Sequence, residues 1–189
     1  MNRKLLILAL VCLAQWAVPG FLIARGEQTL AEGMAYRFRT APVDPVDPFR
    51  GRYVALDFVA AQLPAPKGRD YVSGQRLYAA ISVDGDGYAR LLLPEANPPA
   101  QGDWLPVTVQ WRDADGRLRL KLPFDRYYLD EQLAPEAERV YREGNRRGEP
   151  DARPAWASVR VRRGYAVLEE LYIDGVPVRE RLRAVQPGG

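Results

Sequence analysis

From residue 34 onward, apolar and polar residues alternate in short segments, which is the pattern of β-strands with one buried face. In the segment MAYRFRT, residues 34–40, Met34, Tyr36 and Phe38 alternate with small or basic residues. The segment 53–60 repeats this period, with Leu56 and Phe58 on the same side. Both segments are therefore predicted to be strands.

Glycine-containing turns divide the rest of the chain into paired strands. The predicted hairpins are residues 75–94 around Asp84–Gly87, residues 104–122 around Asp113–Gly116, and residues 157–173. A further short strand is expected after Asp174-Gly175. About eight to ten short strands at this spacing predict a mostly β protein, a single β-sandwich or barrel-like domain of antiparallel strands. One short helix is expected, beginning at Pro135 and ending at Gly144.

The amino-terminal pattern is different, because Leu5 to Ile23 contains no charged residue and follows Arg3 and Lys4. At about 1.5 Å per residue, a helix of this length spans roughly 28 Å, close to the thickness of the hydrocarbon core of a bilayer. The segment 5–14 alone would also serve as the apolar region of a cleaved signal peptide. Continued apolar character through Ile23 favours an uncleaved anchor.

These patterns divide the chain into three parts. Residues 1–25 are predicted to be a signal anchor that forms a transmembrane helix, residues 26–33 a connector, and residues 34–189 a β-rich domain. Basic residues before the apolar segment place the domain outside the cytoplasm. The lipid bilayer is thus an expected partner of residues 5–23.

Composition excludes several classes of function. The net charge is +3, of which Arg3 and Lys4 supply +2, so the domain has no basic excess suited to nucleic acid. The chain has no His, and its single cysteine, Cys12, lies in the apolar segment. Histidine-based acid–base catalysis, disulfides and zinc clusters are therefore not expected in the domain. No cofactor is predicted.

The stretch DPVDPFRGRYVALDF, residues 44–58, carries a recognisable motif. It resembles the GDYXXLXY family of bacterial membrane-anchored proteins. The motif residues are Gly51, Arg52, Tyr53, Leu56 and Phe58. Arg52 stands where the family pattern has aspartate, and Phe58 where it has tyrosine. Similarity continues in residues 122–131 and 172–178.

The resemblance implies a compartment and an architecture, since the family has no established activity. It implies a single-pass protein of the bacterial inner membrane with its carboxyl-terminal domain on the periplasmic side. It also implies a multi-pass membrane protein as the partner. The expected function is a non-enzymatic module that binds another envelope or membrane protein.

Charged and aromatic residues supply the candidate sites. Asp125, Arg126, Tyr127 and Tyr128 form a possible binding edge, although aromatic residues at a strand end also commonly cover a core. The turns 84–87 and 113–116 resemble calcium loops but lack the acidic ligand at the twelfth position, so plain turns are predicted.

Two further possibilities rest on carboxylates in the first half of the domain. Asp44, Asp47, Asp57 and Asp70 are a conceivable calcium-binding group. The alternative to a binding module is a hydrolase of an envelope polymer that uses a carboxylate pair such as Asp44 with Asp57.

Overall fold

The computed structural model describes residues 3–41, 53–64, 68–112, 116–128 and 155–185. Within these ranges the elements are the helix α1 (Arg3–Glu32), the strands β1 (Met34–Ala41), β2 (Tyr53–Ala55) and β3 (Asp57–Phe58), the 3-10 helix η1 (Val59–Ala61), the strands β4 (Gln62–Pro64), β5 (Arg76–Val83), β6 (Ala89–Leu91), β7 (Trp104–Arg112), β8 (Arg117–Lys121), β9 (Arg126–Tyr128), β10 (Ala155–Arg162), β11 (Tyr165–Ile173) and β12 (Val176–Pro177), and the helix α2 (Val178–Val185).

Two five-stranded antiparallel sheets contain ten of the twelve strands in the described part of the chain. Sheet I has the order β12-β11-β10-β1-β3, and sheet II has the order β4-β8-β7-β5-β6. A separate antiparallel pair joins β2 to β9. The prediction of a mostly β protein with antiparallel strands is confirmed, as are the three hairpins and the short strand after Asp174-Gly175.

Both sheets contribute side chains to one hydrophobic core. The alternation seen in the sequence is the reason, since Leu105, Val107 and Val109 of β7 are all buried on one face. Three phenylalanine rings meet in this core with edge-to-face geometry and centroid distances of 5.1 to 6.0 Å; they are Phe38, Phe58 and Phe124. Ala157 lies directly opposite Phe38 in the register, and its small side chain leaves room for the ring.

The strand predicted at 53–60 is divided in two. The β2 segment pairs with β9, but β3 pairs with the end of β1, so the chain changes neighbours at Leu56. After Phe58 the backbone turns into η1 instead of continuing as a strand. The predicted alternation still holds across the break, because Leu56 and Phe58 are both buried.

The helices differ from the prediction. The helix α1 continues through Glu32, so all but the last residue of the predicted connector 26–33 is helical. The sequence also carries a signal for α2 that was missed, with Pro177 just before it and Glu180 in its first turn. The helix predicted at 135–144 lies outside the described residues.

Two contacts tie the start of β7 to sheet I. The Tyr36 hydroxyl donates to Asp103 Oδ2 at 3.0 Å, joining β1 to the loop before β7. The Trp104 ring packs on Gly164 in the β10–β11 turn so closely that a Cβ atom there would lie 2.2 Å from two ring carbons. These two contacts thus join sheet II to sheet I at the start of β7.

Alkaline unfolding should report on the Tyr36 contact. Burial, with the hydrogen bond to Asp103 and the charge of that carboxylate, raises the pKa of Tyr36 to about 12. A pKa raised by folding stabilises the native state below the unfolded pKa of about 10, and this contribution is lost as pH rises towards 12. We expect Tyr36→Phe to reduce the loss of unfolding free energy between about pH 9 and pH 11, measured by urea titration at each pH. Tyr88→Phe is the control, and an equal effect of both substitutions would contradict the assignment.

Candidate functional site

Two of the segments that resemble the family motif pair with each other, and residues that flank the third segment contact them. The strand β2 of the first segment pairs with β9 of the second, with Tyr53 opposite Tyr128 and Val54 opposite Tyr127. The Leu56 amide then donates to the Asp125 carbonyl oxygen at 2.9 Å. The side chains that contact Tyr127 come from residues on either side of the third segment, Glu170 on β11 and Arg179 on α2. We call this assembly of β2, β9, the end of β11 and α2 the motif cluster.

A tyrosine–glutamate–arginine group holds the motif cluster together. The Tyr127 hydroxyl donates to Glu170 Oε1, which also accepts the Leu171 amide at 3.0 Å. The second carboxylate oxygen of Glu170 lies 3.8 Å from Arg179 Nε. The Arg179 guanidinium lies over the Tyr127 ring, 5.5 Å from its centroid. Strand β9 is thereby attached to β11 and α2.

The electrostatics of this group indicate a structural role. Tyr127 is buried and the Glu170 side chain is only 14% exposed. Burial, together with the hydrogen bond and charge of Glu170, raises the pKa of Tyr127 well above its ordinary value. The phenol therefore stays protonated and acts as a hydrogen-bond donor, with no tendency to become a nucleophile or base near neutral pH.

Removing the Tyr127 hydroxyl should lower the unfolding free energy by a large amount for a single atom. Tyr127→Phe leaves the shielded Glu170 carboxylate without one donor, and we expect a loss of about 1–3 kcal/mol in unfolding free energy. The matched control is Tyr88→Phe, which keeps the ring that lies 4.3 Å from the Arg39 guanidinium and should change stability by less than about 0.5 kcal/mol. Urea unfolding followed by fluorescence measures both. Equal small losses would show that the Tyr127–Glu170 bond contributes little.

The family-motif residues differ in their burial and in whether the structure describes them. Gly51 and Arg52 lie outside the described residues, and Tyr53 opens strand β2. Leu56 and Phe58 are core residues, so their part in the motif is to pack the interior. Of the motif positions that the structure describes with a side chain, none presents a reactive group.

The predicted binding edge is split between the interior and the surface. Tyr127 is buried, whereas Tyr128 is 61% exposed and Arg126 is exposed beside it. Asp125 lies 3.6 Å from Arg126 Nε and 4.0 Å from Lys121 Nζ. Alternation along β9 is the cause, since neighbouring residues of a strand point to opposite sides. Tyr128 and Arg126 thus remain as the surface part of the edge.

The carboxylates considered for calcium binding or hydrolysis do not form a cluster within the described ranges. Asp57 is ion-paired with Arg119, and its Oδ1 accepts the Phe58 amide at 2.7 Å. Asp70 is exposed, while Asp44 and Asp47 lie outside the described residues. Among the residues that the structure describes, no group of three or more His, Cys, Asp or Glu side chains is placed to hold a metal ion.

The turn 84–87 is closed by its own hydrogen bonds. Asp84 Oδ1 accepts the amides of Asp86 and Tyr88 at 3.1 and 2.9 Å, and Oδ2 accepts from Arg90 Nε at 3.0 Å. The backbone bond from Tyr88, with these other donors, lowers the pKa of Asp84 despite some opposing desolvation. These contacts are those of a hairpin turn. Residues 113–115 of the second turn lie outside the described ranges.

A second assembly, which was not predicted from the sequence, docks the end of α1 on the β10–β11 hairpin. The Arg25 guanidinium lies 4.4 Å from the centroid of the Tyr165 ring. Arg162 donates to Gln28 at 3.1 Å and pairs with Glu32 at 2.8 Å. We call residues 25–33 and the hairpin side chains that hold them the helix clamp. Its helical members recur every three or four residues, which places them on one face.

The clamp is completed at the end of α1. Arg160 donates to the Gly33 carbonyl oxygen at 3.1 Å and to Glu169 Oε2 at 3.1 Å. Ser158 donates to the same Glu169 oxygen at 2.9 Å. Desolvation opposes ionisation of Glu169, but the bonds from Arg160 and Ser158 outweigh it and lower its pKa. A side chain at position 33 would meet the Thr29 carbonyl oxygen at 2.4 Å, so this close approach requires glycine.

Ahead of the clamp, α1 presents apolar side chains to the surroundings. Eight large apolar residues are between 48% and 77% exposed: Leu10, Val11, Leu13, Trp16, Val18, Phe21, Leu22 and Ile23. Cys12 is exposed among them. Within the described part of the chain, no helix combines the length and hydropathy expected of a membrane span.

The fold and these contacts define a small β protein of two sheets with a long amino-terminal helix docked on one hairpin. The chain belongs to the GDYXXLXY protein family, whose profile matches residues 15–171. The resemblance carried by residues 51–58 is thereby confirmed. No curated protein and no solved structure matches the chain.

Proposed function

We propose that this protein is a non-enzymatic module of the bacterial envelope, anchored in the inner membrane by residues 5–23. Its domain lies outside the cytoplasm and binds another envelope or membrane protein. The observation that carries the proposal is the contrast within α1, whose carboxyl-terminal part is docked while residues 10–23 expose a run of apolar side chains.

The apolar surface of α1 supports anchoring. Large apolar patches on a soluble surface are rare and mark sites of contact with a membrane or a protein. Leu5 to Ile23 is uncharged, and as a helix it is about 28 Å long, which suits the bilayer core. Trp16 and Phe21 add aromatic side chains to this surface, at 77% and 64% exposure.

Charge sets the proposed orientation. Arg3 and Lys4 precede the apolar segment, and Arg25 follows it with Glu27 close behind. The positive-inside rule therefore favours a cytoplasmic amino terminus. Arg25 also contacts Tyr165 of the domain, so in the proposed arrangement it lies on the same side of the membrane as the sheets.

A binding role fits the surface of the motif cluster better than catalysis does. The shielded acid and phenol of this cluster, Glu170 and Tyr127, bond to each other inside the fold. The side chains that face outward include Tyr128, Arg126 and Arg179, and tyrosine and arginine are enriched in protein interfaces. An anchored domain meets membrane proteins at high effective concentration, which favours a multi-pass protein as the partner.

Photo-crosslinking in intact membranes tests the binding role. A photoreactive amino acid replaces Tyr128 at the motif cluster, and the control carries it at Val83, which is also exposed, on strand β5. We expect a discrete adduct from position 128, containing one multi-pass membrane protein identified by mass spectrometry, and none of this adduct from position 83. Identical adduct patterns from both positions, or none from either, would contradict binding through this surface.

A further inference from the structure

The contacts of the helix clamp fix where α1 leaves the domain. At the end of the clamp, Gly33 lies against Arg160, well inside strand β10. Eight residues earlier, Arg25 lies against Tyr165, the first residue after the β10–β11 turn. From Leu10 to Arg25 the described side chains are exposed. The helix therefore passes the β10–β11 turn as it departs from sheet I.

This geometry sets the distance between the turn and the apolar segment. Ile23 precedes Arg25 by two residues, a rise of about 3 Å along the helix. Tyr165, in contact with Arg25, thus lies close to the end of the apolar run. The opposite end of the nine-residue strand β11 leads to Asp174, roughly 30 Å away at about 3.3 Å per residue.

The chemistry of the turn suits a lipid surface. Arg163 is exposed at its tip, and Arg25 is exposed beside Tyr165. Guanidinium groups bind phosphate through paired hydrogen bonds, and tyrosine and tryptophan favour the region of the headgroups. Trp104 packs on the same turn through Gly164.

The acidic groups near the β10–β11 turn are compatible with a contact between this turn and lipid. Glu32 is paired with Arg162 at 2.8 Å, and Glu27 is a second exposed acid on the same stretch of α1. The turn at the far end of β11 carries Asp174 at its tip, where its carboxylate lies 3.8 Å from a guanidinium nitrogen of Arg181. The turn beside α1 thus presents an arginine at its tip, whereas the turn farther away presents an aspartate that is paired with Arg181.

We infer that the β10–β11 turn, residues 163–164 with Arg25 and Tyr165, lies against the phospholipid headgroups and that Arg163 contacts lipid phosphate. The inference rests on the proposed membrane anchor. It gives the domain a defined orientation, in which sheet I stands with this turn towards the bilayer and the Asp174 turn away from it.

Spin labels at the two ends of β11 test the orientation in the full chain. In a Cys12→Ser background, one variant carries Arg163→Cys and the matched variant carries Asp174→Cys. The two positions are well matched, because both are non-glycine turn residues with positive φ, 48° and 57°. Each labelled protein is placed in nanodiscs of phosphatidylethanolamine and phosphatidylglycerol that contain a nickel-chelating lipid. Relaxation enhancement by the headgroup nickel is then measured.

We expect strong enhancement at position 163 and weak enhancement at position 174. The orientation would be wrong if a protein that has entered the nanodiscs shows equal enhancement at both positions or stronger enhancement at position 174. That result would not contradict the membrane anchor. Failure of the unlabelled chain to enter nanodiscs would overturn both. Should labelling at 163 unfold the domain, Gln101→Cys, three residues before Trp104, replaces it and should show the same strong enhancement.

Discussion

Phe38→Ala is expected to destabilise the domain by about 3–5 kcal/mol, the usual cost of removing a buried phenylalanine. Phe38 is fully buried, and it contacts the rings of Phe58 and Phe124, so truncation leaves a cavity where three aromatic side chains meet. Rigid strands on both sides of it limit collapse of the cavity. Urea unfolding of the full chain in detergent micelles measures the loss.

The control for this cavity lies on the same strand. Met34→Ala removes a side chain of similar size that is 62% exposed, and we expect a change within about 0.5 kcal/mol. Phe38→Leu should fall between the two, since it keeps part of the buried volume. Equal losses for Phe38→Ala and Met34→Ala would mean that the phenylalanine cluster does not form.

Gly164→Ala is expected to cost about 2–5 kcal/mol for two separate reasons. The backbone has φ +74° at this position, which is strained for residues with a side chain. The added carbon would also lie 2.2 Å from atoms of the Trp104 ring, so the ring must move out of its contact with Tyr78. The melting temperature should fall, and the tryptophan fluorescence of the folded state should change.

The variant Gly175→Ala separates the cost of backbone strain from the cost of the steric clash. Its φ is also +74°, but no atom lies within 4 Å of the added carbon, so only the backbone cost of about 1 kcal/mol applies. The difference between the two variants measures the Trp104 contact directly. If both variants lose the same stability, the β10–β11 turn is not packed under Trp104.

Local patterns in the sequence were enough to predict the three hairpins and most of the longer strands. Period-two alternation identified the strands of the hairpins 104–122 and 157–173, and glycine-containing turns joined consecutive strands correctly. These features depend on neighbouring residues, whose geometry a short stretch of chain determines. The break at Leu56 depends instead on two partners that lie elsewhere in the sequence, β1 and β9.

The candidate site was predicted only in outline. Segments 53–58 and 125–128 were singled out separately, but their pairing is a long-range contact that no local pattern encodes. Glu170 could not be identified as the acceptor for Tyr127, since β11 is irregular at this point, where the register shifts beside Ser158.

The sequence carries a signal for the helical part of the helix clamp. Arg25, Gln28, Thr29 and Glu32 recur at intervals of three or four residues, which is the spacing of one helical face. Treated as a helix, the segment 25–32 would have been expected to dock on another element. Its partner, the β10–β11 hairpin, lies more than a hundred residues away and could come only from the structure.

Anchoring of the domain by α1 is tested most directly by extracting bacterial membranes with alkaline carbonate and treating spheroplasts with protease. The full chain should stay in the membrane pellet, and protease added from outside should digest the domain. A matched variant with Leu10, Leu13 and Leu22 changed to Gln, all exposed on α1 and outside the clamp, should be released from the pellet. Release of the unaltered chain, or a domain that protease reaches only after lysis, would contradict the proposed anchor and orientation.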